Sequence, residues 1–241
     1  MPLSNRGYCP ICRTTTTFIA TGEWLRDSYL CPRCHSIPRQ RALVHVLESL
    51  LPDWRAKTVH ESSPTLGYFA EQCAGYSCSF YFEDTTLGAL KGTLRCESLE
   101  SLTFADGHFD LFITQDVLEH VVCPDRALAE ISRVLKPGGM HVFTTPKHKD
   151  LLQSRARVQP DGDGVRYLSE PVYHGNPIGD GRSLVTWDYG ADFESLLHQW
   201  SGYLTSTYVI RDRRIGVDGE FLEVFVTVKD PVNAISAPMA T

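Results

Sequence analysis

The chain has 241 residues, of which 42% are hydrophobic and 22% charged, a composition that suits one ordinary domain plus a small module and excludes a disordered chain. No apolar run approaches the roughly 18 residues of a membrane span, and the opening MPLSNRGYCP lacks the apolar stretch of an export signal, so no membrane is expected as a partner and the expected address is the cytoplasm. The net charge of −6 argues against a general nucleic-acid coat: residues 1–57 hold eight Lys/Arg against four Asp/Glu (+4), and the remainder holds 15 against 25 (−10).

The first forty residues read as a unit. Cys9-Pro-Ile-Cys12 and Cys31-Pro-Arg-Cys34 bracket an 18-residue gap. Each Cys-x-x-Cys can set two sulfurs on one side of a tight turn, and two such turns around a hairpin supply four thiolates at tetrahedral geometry. A redox pair and four free thiols are the alternatives; the shared spacing on one short module favours a structural Zn2+ held by Cys9, Cys12, Cys31 and Cys34. A ribbon of this size has little core, so the metal supplies much of its folding free energy. Four thiolates and one Zn2+ bring the basic segment to about +2, a weak basic signal.

From Pro38 the segment PRQRALVHVLESLLPDW sets Leu43, Leu47, Leu50 and Leu51 on one face and ends before Pro52, a linking helix carrying the chain through residue 56. Residues 57–61 (KTVHE) read as a strand, SSPTLG as a turn, and a helix follows through Phe69, Ala70 and Cys73. CSFYFED (78–84) is a second strand, and FDLFIT (109–114) an apolar strand of the kind buried on both faces. DRALAEISRVLKPGG has a helical stripe with Pro124 near its start and Pro137-Gly138-Gly139 as its stop; MHVFTTP (140–146) is another strand. Residues 147–191, with PDGDG and HGNPIGDG, are neither strongly helical nor extended and read as an irregular lid. DFESLLHQWSG then reads as a helix, TYVIRD and LEVFVTV as an antiparallel strand pair, and residues 231–241 as a flexible tail. The alternation predicts an α/β domain over 57–230. Cys73, Cys78, Cys96 and Cys123 lack metal spacing, and Phe80, Tyr81 and Phe82 read as sheet core.

The stretch FADGHFDLFITQDVLEHVVCPDRALAEISRVLKPGGMHVFTTP resembles the class I S-adenosylmethionine-dependent methyltransferases. The specific series is Asp110, Glu119-His120 and Leu135-Lys136-Pro137-Gly138-Gly139, and the likeness extends over residues 57–146. It implies a Rossmann-like, mostly parallel seven-stranded sheet with an antiparallel terminal strand pair, and a cofactor across the carboxyl ends of the first strands. Glu61 is then the acidic residue ending the first strand, near the methionine amino group. The loop after it departs from the family's alternating glycines: Ser63 and Thr65 stand where glycines usually do, and Gly67 follows. Pro64 and the missing glycines disfavour a dinucleotide loop. The resemblance implies a ribose carboxylate at Glu83 or Asp84, an adenine side at Glu97, Ser98 and Leu99, and Gln115, Asp116 and His120 facing the sulfonium and the acceptor.

For an oxygen or nitrogen acceptor a histidine is the natural proton acceptor. His174 is preferred over His148, with Tyr173, Asn176 and Arg155 orienting the substrate. Three functions compete. The first is a methyltransferase for a small molecule or sugar-linked metabolite, favoured by the acidic body and the lid. The second is an RNA methyltransferase using the ribbon with Arg33, Arg39 and Arg41, since some ribosomal-RNA methyltransferases carry an N-terminal zinc module. The third is a scaffold that has lost the cofactor.

Overall fold

The computed structural model describes residues 3–65, 67–162, 164–175 and 181–230. The ribbon is a three-stranded antiparallel sheet, β1 (Ser4–Cys9), β2 (Thr14–Ala20) and β3 (Tyr29–Leu30), with the one-turn helix α1 (Leu25–Ser28) before β3. The threonine run of β2 is β-branched and alternates between exposed and half-buried, as a strand with one covered face requires. Helix α2 (Pro38–Leu50) starts on a proline whose missing N–H costs nothing there, and the side chain of Gln40 accepts from the N–H of Ile37 at 3.0 Å. The helix buries Leu43, Val44, Val46 and Leu47.

The rest of the chain winds a single sheet: β4 (Val59–Ser62), α3 (Tyr68–Gln72), β5 (Tyr76–Phe80), β6 (Leu90–Lys91), β7 (Leu94–Cys96), β8 (Phe109–Gln115), α4 (Pro124–Val134) and β9 (Leu135–Thr144). An insertion carries β10 (Arg155–Ala156), β11 (Val158–Asp161), β12 (Gly164–Tyr167), β13 (Tyr173–Gly175), β14 (Arg182–Leu184) and β15 (Trp187–Asp188). The chain then closes with α5 (Phe193–Ser201), β16 (Thr205–Tyr208) and β17 (Val224–Val228). The large sheet has the order β16-β17-β9-β8-β4-β5-β7-β6. Its β9-β8-β4-β5-β7 centre is parallel, and β16-β17 form the expected antiparallel pair, β17 lying against β9. Seven strands match the expected sheet; the eighth, β6, is a two-residue antiparallel addition beside β7. From β4 the chain first builds toward β7 and then returns to lay β8 on the other side, so the crevice of a doubly wound sheet opens at the carboxyl ends of β4 and β8.

Two expectations need correction. The insertion is not irregular: it pairs as three short antiparallel ribbons, β10–β15, β11–β12 and β13–β14. Strands of two to four residues interrupted by glycine and proline are too short to show a period of two in sequence. Helix α4 ends at Val134 rather than at Pro137, because β9 already begins at Leu135, paired with Phe109.

The ribbon is not a bead on a string. One continuous apolar cluster runs from Phe18 and Tyr29 through Leu43 and Leu47 of α2 to Val59, Leu111 and Val224 of the large sheet. Arg41, fully buried, donates to the carbonyl oxygens of Gly216, Tyr29 and Ser36, and its guanidinium lies 4.7 Å from the centre of the Phe18 ring. A Cβ at Gly216 would come within 2.6 Å of that ring, so the position is closed to any larger residue. Among the described residues no helix is long and apolar enough to cross a membrane. The tail 231–241 lies outside the described residues.

Candidate active site

A cleft of about 1880 Å³ opens over the carboxyl ends of β4, β5 and β8 and runs under the insertion. Its floor is polar and buried. Glu61, at 0% exposure on β4, accepts from the Gln115 Nε2 amide at 2.7 Å and from the Tyr76 hydroxyl at 2.9 Å. Burial pushes its carboxyl up to about 7 against those two hydrogen bonds. Glu61 itself does not line the cleft; Gln115 does, and with its nitrogen given to Glu61 its buried Oε1 is left without a partner.

Ser63 lines the cleft with φ of +53°, the left-handed region that a glycine enters freely. The loop therefore keeps the backbone form of a glycine loop with a serine in it. Gln40 of α2 donates to the hydroxyl of Thr65 at 2.9 Å, which ties the loop to the linking helix. Gly67 lies outside the cleft, as the residue before α3.

At the end of β5, Glu83 and Asp84 both line the cleft, but they differ in commitment. Asp84 is paired with Lys91 at 2.6 Å, whereas Glu83 has no such pair. Tyr81 and Phe82 are not sheet core: β5 ends at Phe80, and beyond it Tyr81 is 56% exposed and both rings stand in the cleft wall. Ser98 and Leu99 line the same wall. The Glu97 carboxylate is fully engaged by Arg95 Nε, the Thr103 hydroxyl and the Thr103 amide, which leaves it a scaffold for the turn.

Asp116 follows β8 with φ of +54°. Although burial acts to raise its pKa, Arg39 and Arg26 hold the carboxyl below the usual range. Arg26 Nη2 donates to it at 2.6 Å, Arg39 Nε at 2.8 Å and the Thr144 hydroxyl at 2.9 Å. Asp116 lines the cleft, with Oδ2 shared by the two arginines and Oδ1 held by Thr144. Sequence reasoning missed Arg26, and no local signal could have shown it, since it sits 90 residues away from its partner. Of the three arginines that the alternative RNA reading uses, Arg39 has a side chain 13% exposed and turned to Asp116, Arg41 is buried, and only Arg33 is exposed.

The acceptor half is built on the turn Leu118–His120. The insertion returns to it: the amide and hydroxyl of Thr186 donate to the Glu119 carbonyl, and the Tyr189 hydroxyl to that of Leu118. His120 Nδ1 donates to the Leu184 carbonyl at 2.8 Å. His174 Nδ1 and His120 Nε2 each stand 3.8 Å from Glu119 Oε1. Burial, and after it the Asp116 charge, push the Glu119 carboxyl up to about 8; burial lowers both histidines. Tyr173 lines the cleft with the Arg182 guanidinium 3.9 Å from its ring centre. Arg155 pairs with Asp188 at 3.0 Å. His148 packs its ring on Phe221, on the side of the cleft shared with Trp24 of the ribbon. Asn176 lies outside the described residues.

Away from the cleft, the sulfurs of Cys9, Cys12, Cys31 and Cys34 lie within 4.8 Å of one another, with Cys9–Cys34 at 3.7 Å and Cys12–Cys31 at 3.8 Å. Four thiolates about 2.3 Å from a tetrahedral Zn2+ are about 3.8 Å apart, so the donor set fits that ion.

Residues 64–143 match the "Methyltransferase domain" family. The chain is 36% identical over 88 residues to the ubiquinone/menaquinone biosynthesis C-methyltransferase UbiE of Shewanella frigidimarina, covering 30% of this chain and 35% of that protein. It is 43% identical over 101 residues to the dimethylglycine N-methyltransferase of Parasynechococcus marenigrum, covering 40% and 35%. The chain thus spans about a third of the length of these curated relatives. Its fold is similar to that of an S-adenosylmethionine-dependent methyltransferase from Mesorhizobium loti, with a TM-score of 0.51 and 16% identity over 78% of this chain and 97% of that one. The parallel sheet, the crevice at its switch point and the match over 64–143 agree: residues 64–143 match the methyltransferase domain family, and they lie in a fold similar to that of the class I methyltransferases.

Proposed function

We propose that this chain transfers the methyl group of S-adenosylmethionine to an oxygen or nitrogen of a small molecule or sugar-linked metabolite. The observation that carries the reading is the partnerless amide oxygen of Gln115, buried in the floor of the cleft at the ends of β4 and β8. Glu61 orients that amide so that its oxygen receives the methionine amino group, Ser63 lends backbone to the same end, Glu83 takes the ribose hydroxyls in preference to Asp84, and Ser98 and Leu99 border the adenine. When bound, the cofactor supplies a methyl group on a sulfonium, an electrophile that needs no metal. The chain's own residues align the acceptor and exclude water, which supply most of the acceleration of an in-line displacement. Tyr173, His174, His120 and Arg155 line the acceptor half beneath the insertion 147–191, which acts as lid; His148 stands at its ribbon edge.

The names of the curated relatives, one in ubiquinone/menaquinone biosynthesis and one for dimethylglycine, support a small acceptor. The RNA reading is weakened by the burial of Arg39 and Arg41 in contacts within the chain. We assign residues 1–40 to a ribbon with a structural Zn2+, 41–56 to the link and 57–230 to the methyltransferase domain.

The test is calorimetric titration of the zinc-loaded chain with S-adenosylmethionine and S-adenosylhomocysteine, beside Gln115→Ala. Both ligands are expected to bind, and the variant to lose at least tenfold in affinity while remaining folded. Absence of binding to the folded wild type would sink the methyltransferase reading and leave a scaffold.

A further inference from the structure

Glu119 raises a question that methyl transfer alone does not answer. Its side chain is 2% exposed, yet Oε1 faces the cleft with no hydrogen-bond partner, while Oε2 accepts from the Thr145 hydroxyl at 2.9 Å. An unpaired buried polar oxygen at that depth is costly unless something meets it. Two imidazole nitrogens face it: His120 Nε2 and His174 Nδ1, each at 3.8 Å, too far for a hydrogen bond. The tautomer of His120 is fixed. A carbonyl oxygen can only accept, so the bond to Leu184 puts the proton on Nδ1 and leaves the lone pair of the neutral ring on Nε2, toward Glu119.

From these three side chains we infer that Glu119, His120 and His174 form a second metal site, one that takes a divalent first-row cation such as Mn2+, Fe2+ or Zn2+ inside the cleft. The three donor atoms lie within 4.8 Å of one another. A point equidistant from them is about 2.2–2.5 Å from each, close to the bond lengths of such ions to imidazole and carboxylate. Two histidines and one carboxylate on one face, with the remaining positions open, is a set suited to these cations. The supporting bonds are in place as well: Leu184 orients one imidazole and Thr145 the carboxylate, from two different segments of the fold. The ribbon cysteines are a separate, closed set.

The open face turns to the acceptor half of the cleft, so the inference rests on, and deepens, the methyltransferase reading. It narrows the acceptor to a compound with a hydroxyl able to coordinate a cation. The ion lowers the pKa of that hydroxyl, whose proton passes to solvent. The oxygen then forms its bond to the methyl carbon as the carbon–sulfur bond breaks, and S-adenosylhomocysteine leaves with the electron pair. His174 serves as a ligand here, and no protein base is required.

The test uses the full chain with its ribbon zinc retained, since Mn2+ does not displace zinc from four thiolates. Mn2+ binding is followed by electron paramagnetic resonance in wild type, in His174→Ala and in Glu119→Gln, with thermal unfolding as the check on folding. His174 is 43% exposed at the side chain, so its variant leaves the core intact even if Glu119→Gln does not fold. One Mn2+ per chain is expected in wild type, with affinity reduced at least tenfold in folded His174→Ala. No Mn2+ uptake by wild type, or equal uptake by His174→Ala, overturns the site. The same samples are titrated with S-adenosylhomocysteine: its binding without Mn2+ uptake removes the metal site alone, and Mn2+ uptake without its binding removes the methyltransferase reading while the site stands.

Discussion

Ser63 holds a backbone conformation for which its side chain is ill suited. A left-handed non-glycine residue is strained by about 1–2 kcal/mol, part of which a glycine returns through its greater entropy in the unfolded chain. Ser63→Gly is therefore expected to stabilise the protein by about 0.5–1 kcal/mol with cofactor affinity unchanged, read as a higher urea midpoint at constant slope. Glu61 makes a second prediction at the same scale. Its native pKa of about 7 stands above the ordinary 4.5, so the native state holds a proton that the unfolded state releases. The stability this contributes is full below pH 4.5 and is lost as pH rises to 7, at about 1.4 kcal/mol per unit. Buried His60 and His141, both pushed down to about 3 by burial, oppose it, because their stability is present above pH 6.5 and lost as pH falls. The wild-type curve alone therefore hides the effect. Compared with Glu61→Gln in cofactor-free protein, wild type is expected to lose ground steadily from pH 4.5 to 7 and to level off above it; parallel curves would show that Glu61 is ionised throughout.

Elements differ in how far the sequence reveals them. β8 and α4 were legible because each carries one dominant period: a buried parallel strand is continuously apolar, and an amphipathic helix repeats at 3.6. The four-cysteine cluster was legible because its members sit in two local pairs. The insertion was not, because its pairings close over two to four residues each, and the ends of β5 and β9 shifted because pairing in the sheet, not propensity, decides where a strand stops. The site divides the same way. Gln115 and His120 follow directly from the ends of recognisable elements, whereas the Arg26–Asp116–Arg39 cluster joins three segments distant in sequence. That cluster makes an element-scale prediction. Asp116→Asn leaves two largely buried guanidinium groups facing an amide, a defect worth about 3–5 kcal/mol. The loss should appear as a lower unfolding midpoint, and Arg39→Met in the same background should recover part of it; no recovery would mean that the charges are not coupled.

At the scale of the whole molecule, the ribbon and the methyltransferase domain share a core and a wall of the cleft. Arg26 from α1 reaches Asp116 at the end of β8, and Trp24 and Phe221 face each other across the same edge. Arg41 closes the joint from within. If the four cysteines hold the proposed Zn2+ and the ribbon folds around it, the proposed cofactor site depends on that metal too. Chelation of the ribbon zinc is expected to release Arg26, free Asp116 to unbalance the floor beside Gln115, and lower affinity for S-adenosylhomocysteine at least tenfold, with restoration on adding Zn2+. A zinc-free chain that binds S-adenosylhomocysteine as tightly as the loaded one would show that the shared core alone holds α1 in place. Arg41→Ala distinguishes these cases further: it removes no cysteine but unpairs the Gly216, Tyr29 and Ser36 carbonyls, so with retention of zinc checked by metal analysis it should weaken cofactor binding if the joint is what couples the two sites.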